Sequence, residues 1–375
     1  MCYDRLMNYA WQQENWTKFQ FDLSKIEAAL LAFTQESGMT NGIIEGLPDG
    51  LQEEAITDLM ISEALKTSEI EGEYFSRKDV MSSVKNRLSL TKAPLKLSNR
   101  GAQGIADLMI KVRGTFHQPL TENMLFEWHT MLLATDRNIT PGQWRTGDDP
   151  MQVVSGRLDE PTIHFEAPPS SIIPNEMTNF IKWFNDTAPQ GATPIIHPVL
   201  RSGIAHLYFE TIHPFEDGNG RIGRAIAEKA ISQGLGSPAL ITLSSTIEAK
   251  KKDYYAALES AQGSNEITPW LIYFSETTLE AQRYAKEQIR FILLKVKFFD
   301  RYRDLINERQ NKVLKRMFES GIDGFEGGMS THKYIAITKA SKATATRDLQ
   351  QLAKVEALSK TGGGHSTRYH LYLKS

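Results

Sequence analysis

Helical spacing dominates the pattern of apolar and polar residues along the chain. Apolar positions recur at intervals of three and four residues, which places their side chains on one face of an α-helix. The first such segment is residues 22–36, where Asp22 or Ser24 can cap the helix start. The second is residues 52–71, which Gly72 ends. The same spacing predicts further helices over residues 75–88, 100–115, 121–134, 175–186, 198–211, 220–234 and 268–295.

One segment, residues 141–174, departs from the helical pattern. It is rich in proline and glycine, which interrupt helices, and it contains two short β-prone runs at residues 152–154 and 162–165. The simplest arrangement of two such runs is a β-hairpin standing among helices. The fold is therefore predicted to be mainly α, with one hairpin in its helical core.

The C-terminal part has a different pattern. After the charged stretch of residues 295–309 come three helical segments and two strand-like pieces, which are separated by Gly362-Gly363-Gly364. This is the layout of a winged helix-turn-helix. Asp348 and Glu356 dilute its basic charge, so the segment is predicted to bind either DNA or another protein. Its basic residues are Lys333, Lys339, Lys342, Arg347, Lys354, Lys360 and Arg368.

Composition excludes several classes of protein. Of the 375 residues, 41% are apolar and 23% are charged, which is ordinary for a soluble chain of two or three domains. The formal net charge of −2 gives no whole-chain signal for binding nucleic acid or a membrane surface. Cys2 is the only cysteine, which excludes a disulfide framework and a cysteine-based metal site. Because the chain shows neither a signal peptide nor a membrane-length apolar run, we expect a cytoplasmic protein without a membrane partner.

An anion-binding arrangement follows the helix predicted over residues 198–211. Gly218-Asn219-Gly220 lets the backbone turn tightly, so that successive N–H groups and the positive end of the next helix face one space. Arg221 and Arg224 are three residues apart and project from the same face of that helix. Together these groups form a cradle large enough for more than one phosphate.

Two residues beside the cradle supply different chemistry. Asp217 is a hard carboxylate, of the kind that holds Mg²⁺ together with substrate oxygens. His213 is the only base in the segment that titrates near neutral pH, and a hydroxyl that attacks phosphorus needs such a base. The set predicts the transfer of a phosphate ester, with electrostatic stabilisation contributing most of the catalysis.

The segment from His213 to Arg224 resembles the signature of the Fic family. It matches every fixed position of the pattern His-x-Phe-x-Asp/Glu-Gly-Asn-Gly-Arg-x-x-Arg. Residues 141–145 and 254–258 also agree with the family, and the resemblance covers roughly residues 90–285. It implies a protein adenylyltransferase, which transfers AMP from ATP to a Ser, Thr or Tyr hydroxyl of a target protein.

The resemblance also implies a role for each residue of the site. His213 is the general base and Asp217 binds Mg²⁺. The hairpin is the family's flap, which aligns the target by strand pairing along Ile163, His164 and Phe165. The residues expected to bind ATP are Gly218, Asn219, Gly220, Arg221, Ile222, Gly223 and Arg224, with Tyr254, Tyr255 and Gln262 near the adenosine.

An inhibitory motif of the same family is matched upstream. Residues Thr67 to Gly72 fit the pattern Ser/Thr-x-x-x-Glu-Gly/Asn. In relatives with this motif the glutamate pairs with the second arginine of the signature, so Glu71 is expected to pair with Arg224 and to block the γ-phosphate of ATP. A carboxylate and a phosphate compete naturally for one guanidinium. Such relatives can also remove AMP, which makes the reverse reaction a further expectation.

Three alternatives to AMP transfer are open at this point. Phosphorylation or phosphocholine transfer could use the same site, although a phosphorylating branch of the family has lysine at the position of Gly220. A DNA-binding regulator could use the Fic core only to sense nucleotide, but the intact His213 and Asp217 argue against it. A zinc site at His213 would need more ligands, and the sequence shows no compact set of three.

These observations predict three regions and their partners. Residues 1–90 form a helical region with the inhibitory helix, 91–290 the Fic domain, and 300–375 the winged helix. The expected partners are ATP with Mg²⁺, a target protein, and DNA or a protein at the winged helix. A homo-oligomer is left open, and the target is not identified by the sequence.

Overall fold

The computed structural model describes residues 9–90, 93–97, 99–136, 138–157, 160–322 and 324–373. The fold is mainly helical, as predicted, and the chain divides into two compact units. The first unit comprises Met1–Gly42 and Ile56–Ala285, and the second comprises Ile43–Ala55 and Lys286–Ser375. The helices are α1 (Glu27–Glu45), α2 (Asp49–Ile70), α3 (Arg77–Arg87), α4 (Arg100–Gly114), α5 (Glu122–Leu133), α6 (Ile173–Asp186), α7 (Pro198–Ile212), α8 (Asn219–Leu235), α9 (Leu243–Ala249), α10 (Lys251–Ala261), α11 (Thr268–Tyr302), α12 (Glu308–Phe318), α13 (Thr331–Thr338) and α14 (Lys342–Lys354). The division into three regions stays a prediction.

Polar side chains fix the starts of several helices. Ser76, Asn99 and Thr121 accept hydrogen bonds from backbone N–H groups in the first turns of α3, α4 and α5, at 3.0–3.1 Å. Each bond satisfies a donor that the helix itself leaves unpaired. At the other end of a helix, Gly72 adopts a φ of 82° directly after α2, as the sequence predicts for a helix stop.

The first predicted helix begins later than the sequence indicates. Residues Leu23–Lys25 form one 3₁₀ turn, and α1 starts only at Glu27. Asp22 does cap, but it caps that short turn, since its Oδ1 accepts from the Ser24 N–H at 3.1 Å. The Asp22 N–H donates to the Thr268 hydroxyl at 2.8 Å. This distant tether holds the backbone at residue 22, so the prediction of one helix over 22–36 was wrong at its start.

Helix α7 lies at the centre of the first unit. Every residue from Val199 to Ile212 is buried, which is expected for a helix surrounded by others. Helix α8 packs directly against it. Close approach to α11 requires Gly203, where a Cβ would lie 2.9 Å from the Phe274 ring. Because α7 and α8 flank residues 213–218, their packing fixes the loop that carries the motif.

The predicted hairpin is present. Strands β1 (Gln152–Arg157) and β2 (Glu160–Glu166) pair antiparallel, with Val154 opposite Ile163 and Val153 opposite Phe165. The register shifts between Val153 and Val154, which marks a bulge-like irregularity. Val154 and Ile163 are exposed, whereas Phe165 is buried.

The second unit ends in three helices and a hairpin. Helices α12, α13 and α14 precede strands β3 (Leu358–Thr361) and β4 (Arg368–Leu371), which pair antiparallel. Asp348 on α14 is buried and accepts a 2.8 Å hydrogen bond from the Tyr334 hydroxyl. Lys333 donates to the carbonyls of Glu326 and Gly328. Asp348 therefore lies away from the exposed helix face, and its carboxylate pairs with Arg309 Nε at 3.2 Å.

Periodicity did not predict α9, α10 or the C-terminal end of α11. Helix α9 is too short to show a period, and its start is fixed by Glu63, whose carboxylate accepts from the Ser244 N–H at 3.0 Å. Helix α11 continues through the charged stretch to Tyr302, because Phe298 and Tyr302 are buried in the core of the second unit. No helix in the described ranges is both long and apolar enough to cross a membrane.

Candidate active site

The candidate base lies at the C-terminal end of α7. His213 caps this helix in the left-handed conformation, with φ 50° and ψ 59°, and its N–H donates to the Phe209 carbonyl at 3.0 Å. Arg145 holds the turn from the other side. Its Nε donates to the His213 carbonyl at 2.8 Å and its backbone N–H to the Pro214 carbonyl at 2.9 Å. The strained backbone at His213 is therefore fixed by hydrogen bonds on both sides.

The loop after His213 is closed by its own asparagine. Asn219 Oδ1 accepts from the Phe215 N–H at 2.9 Å, and Asn219 Nδ2 donates to the Phe215 carbonyl at 2.8 Å. The Phe215 ring stacks on His129 with centroids 4.1 Å apart. The side chain of Asn219 therefore shapes the loop, and only its backbone N–H remains available to a phosphate.

The loop opens onto the start of α8. Gly218 has a φ of 81°, a conformation that costs glycine little, and α8 begins at the next residue. The first N–H groups of a helix have no acceptor within the helix, and the helix dipole adds positive potential there. Arg221 and Arg224 on the first turns are both almost fully buried. The cradle predicted from the sequence is thus assembled from backbone and two fixed guanidinium groups.

Arg221 is held between two carboxylates. Its Nη1 donates to Glu73 Oε2 at 2.7 Å, and its Nη2 lies 3.5 Å from Asp217 Oδ2. Only 2% of the arginine side chain is exposed, compared with 41% for Glu73. The arginine is therefore fixed, while the Glu73 carboxylate can break the ion pair and become solvated.

Arg224 is paired as the inhibitory motif predicts. Its Nη2 donates to Glu71 Oε1 at 2.7 Å, and its Nε donates to the Thr67 hydroxyl at 2.7 Å. Glu71 also covers the start of α8, since a Cβ at Gly220 would lie 2.2 Å from Glu71 Oε1. Arg224 Nη1 is buried and has no hydrogen-bond partner among the described residues. The contact thus leaves one donor of the guanidinium free beside the carboxylate.

Two pKa shifts set the charges of this arrangement. Burial, and after it the positive charge of Arg145, lower the pKa of His213 to about 4, so the imidazole is neutral at pH 7. Burial on its own would raise the pKa of Glu71, but the charge and hydrogen bond of Arg224 outweigh it and lower that pKa. The site therefore combines a neutral imidazole with an ionised carboxylate.

Asp217 suits a hard cation that is shared with a substrate. Its side chain is 52% exposed, and its Oδ1 accepts from the Gly218 N–H at 2.6 Å. Within the described residues, no three His, Cys, Asp or Glu side chains converge on a metal-sized site. A cation here would rely on Asp217 and on oxygens of a bound nucleotide, which is how proteins commonly hold Mg²⁺.

Comparison with known proteins agrees with this geometry. Residues 119–231 match the sequence model of the Fic/DOC family. This part of the chain is a Fic domain. Residues 9–90, which include Thr67 to Gly72, match a separate model described as a domain of unknown function, DUF4172.

The relatives of known name are protein adenylyltransferases. The chain is 25% identical over 169 residues to protein adenylyltransferase fic-1 of Caenorhabditis elegans, which covers 45% of this chain and 29% of that protein. It is 39% identical over 62 residues to a probable protein adenylyltransferase of Aquifex aeolicus, covering 16% of this chain and 18% of the relative. The chain thus matches less than a third of the length of either relative.

Solved structures support the fold. A Fic family protein from Desulfovibrio desulfuricans G20 superposes with a TM-score of 0.51 at 20% identity, covering 92% of this chain and 97% of that one. Fic-1 from C. elegans superposes with a TM-score of 0.50 at 19% identity, covering 69% of this chain and 72% of that one. At these identities the similarity concerns the fold alone.

Part of the motif faces the core of the Fic domain. Ile222 is fully buried, and a Cβ at Gly223 would lie 2.1 Å from Glu210 Oε1. Tyr254 is only 2% exposed, and its hydroxyl lies 2.8 Å from His206 Nε2. Burial raises the pKa of Glu210 to about 8, so this carboxyl is largely protonated at neutral pH. These residues pack in the core beneath the phosphate cradle, on the side away from solvent. Their expected contacts with ATP stay predictions.

The other residues predicted to contact the nucleotide or the target are Tyr255, Gln262, Ile163 and His164. Tyr255 is partly exposed, with Lys251 Nζ 5.7 Å from its ring centroid, whereas Gln262 is buried and donates to the Glu210 carbonyl at 3.2 Å. On the flap, Ile163 is exposed and His164 Nδ1 lies 3.1 Å from Glu259 Oε2. The rings of Tyr254 and Tyr255 lie with centroids 5.1 Å apart, and only Tyr255 is exposed.

Two residues of the site were missed from the sequence. Arg145 was noted only as part of a flanking stretch, yet it holds the His213 backbone. Glu73 was not considered, although it stands two residues after Glu71 and pairs with Arg221. A carboxylate just past the inhibitory motif is a signal that could have been used, but the partner of Arg145 could not be inferred from spacing.

Proposed function

We propose that this protein transfers AMP from ATP to a hydroxyl group of a target protein. The observation that supports this most directly is the neutral His213 fixed beside a cradle of two buried arginines and a helix start. A neutral imidazole can accept a proton from an attacking hydroxyl, and the cradle can bind the phosphates being separated. The relatives are named protein adenylyltransferase or probable protein adenylyltransferase, which agrees with this assignment.

The proposed reaction balances with the groups that are present. The target hydroxyl attacks the α-phosphorus, His213 takes its proton, and the bond to the β-phosphate oxygen breaks to release pyrophosphate. Arg221 and Arg224 neutralise the charge that develops on the phosphates. Mg²⁺, held by Asp217 and ATP oxygens, would supply further charge neutralisation there. The edge of β2 at Ile163 to Phe165 would pair with a segment of the target.

We further propose that Glu71 keeps the protein in a low-activity state. Its carboxylate binds the guanidinium that the γ-phosphate would need, and Thr67 holds Arg224 in that orientation. Glu73 on Arg221 adds a second carboxylate at the cradle. A water oriented by Glu71 would permit the reverse removal of AMP, which belongs to the same proposal.

A labelling experiment separates AMP transfer from its alternatives. With ATP labelled on the α-phosphate, adding the purified protein to a cell lysate should raise protein labelling above that of the lysate alone, whereas with ATP labelled on the γ-phosphate it should add no label. Label from the γ-phosphate would instead show phosphorylation. Absence of label from both, in a variant freed of Glu71, would contradict AMP transfer and favour phosphocholine transfer or a nucleotide sensor.

The C-terminal helices suggest a second partner, and we propose duplex DNA. Lys342, Arg347 and Lys354 are exposed on α14, and the buried Asp348 leaves their charge uncompensated on that face. The full-length chain should bind DNA with strongly salt-dependent affinity. Each of Lys342→Ala and Arg347→Ala should weaken binding and reduce the slope of log K against log salt by about one.

The DNA proposal has a matched control on another helix. Lys315 is exposed on α12, so Lys315→Ala removes an equal charge without touching α14. Fluorescence anisotropy with a labelled duplex at several salt concentrations measures all three variants. Equal loss in the control would show only a non-specific effect of net charge. No binding at low salt would assign this part of the chain to protein contacts.

A further inference from the structure

A short N-terminal segment, residues 9–20, runs against the flap of the Fic domain. We call it the strap. The indole Nε1 of Trp11 donates a 2.8 Å hydrogen bond to the Glu166 carbonyl at the end of β2. The Tyr9 ring packs edge-to-face on Phe165, with centroids 5.1 Å apart. Two aromatic residues of the strap thus contact the last two residues of the strand that is expected to align the target.

This contact forms a small apolar cluster of its own. Its buried members are Tyr9, Phe165 and Ala167, with Trp11, Met151 and Val153 packed around them. The cluster is separate from the two larger cores of the first unit. An isolated two-stranded hairpin is only marginally stable in water. Because Phe165 is 1% exposed inside this cluster, the strap supplies part of the apolar surface that fixes the hairpin.

The strap is anchored independently of the flap. The Ala10 N–H donates to the Gln262 carbonyl at 2.7 Å, and Gln13 Nε2 donates to the Gly263 carbonyl at 3.2 Å. At its far end, the Gln20 N–H donates to the Asn265 carbonyl and the Gln20 carbonyl accepts from the Ile267 N–H, both at 2.8 Å. These bonds tie the strap to the turn that follows α10, which carries Gln262.

We propose that Trp11 is a positioning residue for transfer to the target. Through the Glu166 carbonyl it holds the C-terminal end of β2 at a fixed distance from the turn of Gln262. The edge of β2 is thereby held in a fixed position relative to the turn of Gln262, where we expect the adenosine to bind. The expected effect of Trp11 on activity rests on the proposed AMP transfer. The expected effect of Trp11 on the position of the flap does not depend on that proposal.

The bracing is tested by amide hydrogen exchange. Trp11→Phe removes the indole donor and keeps an aromatic ring in the cluster. Loss of one such bond should speed exchange of the flap amides by about two- to tenfold, with no change in the melting temperature. Trp16→Phe is the matched control, because Trp16 is close in sequence and donates a 2.8 Å bond to Glu176 Oε2, outside the flap. Unchanged flap exchange in Trp11→Phe, or an equal rise in Trp16→Phe, would overturn the proposal.

The effect on activity is measured in a Glu71→Gly background with α-labelled ATP and a cell lysate as acceptor. Trp11→Phe should lower protein labelling by about two- to tenfold while the dissociation constant for ATP, measured by calorimetry, stays the same. Faster flap exchange with full labelling would show that Trp11 does not position the target. If the parent labels no protein, AMP transfer itself is refuted, and the exchange data still decide whether Trp11 braces the flap.

Discussion

The substitution His213→Ala is expected to slow AMP transfer by about 10²–10⁴-fold while ATP still binds. The alanine removes the imidazole that we assign to accept the hydroxyl proton. It leaves in place the arginines, the helix start and the backbone bonds from Arg145, which involve the carbonyl of residue 213 rather than its ring. Single-turnover transfer with α-labelled ATP measures the rate, and calorimetry measures ATP binding.

The matched control for this variant is His117→Ala. His117 is exposed near the end of α4, so its loss removes an imidazole without touching the motif. It should transfer AMP at the parental rate. If His213→Ala also transfers AMP at that rate, the assignment of the base is wrong. If His213→Ala weakens ATP binding in proportion to the loss of rate, the role of His213 is to bind the nucleotide and not to accept the proton.

The pH profile gives an independent check on the same residue. A base is competent when unprotonated, and the pKa of His213 is lowered to about 4 by burial and Arg145. His213 should therefore impose no loss of rate between pH 6 and pH 8, and the rate should fall only as the pH approaches that pKa. A rise in rate centred near the ordinary pKa of histidine, about 6.5, would show that the ring is solvated in the working enzyme.

The sequence predicted what is local and missed what is distant. The spacing of His213, Asp217 and the two arginines is set within one loop and one helix, so their convergence was inferable. The pairing of Glu71 with Arg224 joins residues far apart in sequence, and only the family resemblance suggested it. Glu73, Arg145 and the strap became visible only through tertiary contacts, since nothing in their spacing names a partner.

The elements of the fold show the same limit. Long helices such as α7 and α8 have a clear period and were predicted within a few residues of their ends. The start of α1 and the short α9 depend on single contacts, from Thr268 and Glu63, that lie far away in the chain. The sequence predicted Asp348 to be a surface charge. Helical periodicity gives the face of a residue but not its hydrogen-bond partner, so the bond from the buried Tyr334 could not be predicted.

The substitution Glu71→Gly is expected to raise AMP transfer by roughly ten- to a hundredfold. The lost contact is a charge-assisted hydrogen bond between Glu71 and the buried Arg224, which typically contributes about 1.5–3 kcal/mol. If that free energy acts entirely as competition with the γ-phosphate, 1.4 kcal/mol corresponds to about a factor of ten. Removal frees the N–H of Arg224 Nη2 that Glu71 occupies, while the 2.9 Å bond from Nη2 to the Thr67 carbonyl remains. Nη1 is already unpartnered among the described residues, so both nitrogens can donate to a phosphate.

Helix α2, which ends one residue before Glu71, should stay in place in this variant. Its docking uses other contacts: Glu63 accepts from Ser244, Lys66 Nζ lies 3.3 Å from Glu248 Oε2, and Lys251 Nζ donates to the Ile70 carbonyl. Glu69→Gly is the matched control. It places a glycine two residues before Glu71, and the Glu69 side chain pairs with Lys66 rather than with Arg221 or Arg224. The control should loosen the helix end equally and leave transfer at the parental rate.

Arg224→Ala separates release of inhibition from loss of the cradle. It breaks the same contact as Glu71→Gly, but it also removes the partner of the γ-phosphate, so transfer should not rise above the parental rate. The dependence of rate on ATP concentration distinguishes the cases, because a competing carboxylate raises the ATP concentration needed for half-maximal rate. If Glu71→Gly matches the parent at every ATP concentration, Thr67 to Gly72 is an ordinary helix end. If Glu69→Gly is activated as strongly, the inhibition lies in the rigidity of α2 and not in the carboxylate. Activation of Glu71→Gly alone assigns it to the competition between one carboxylate and one phosphate for Arg224.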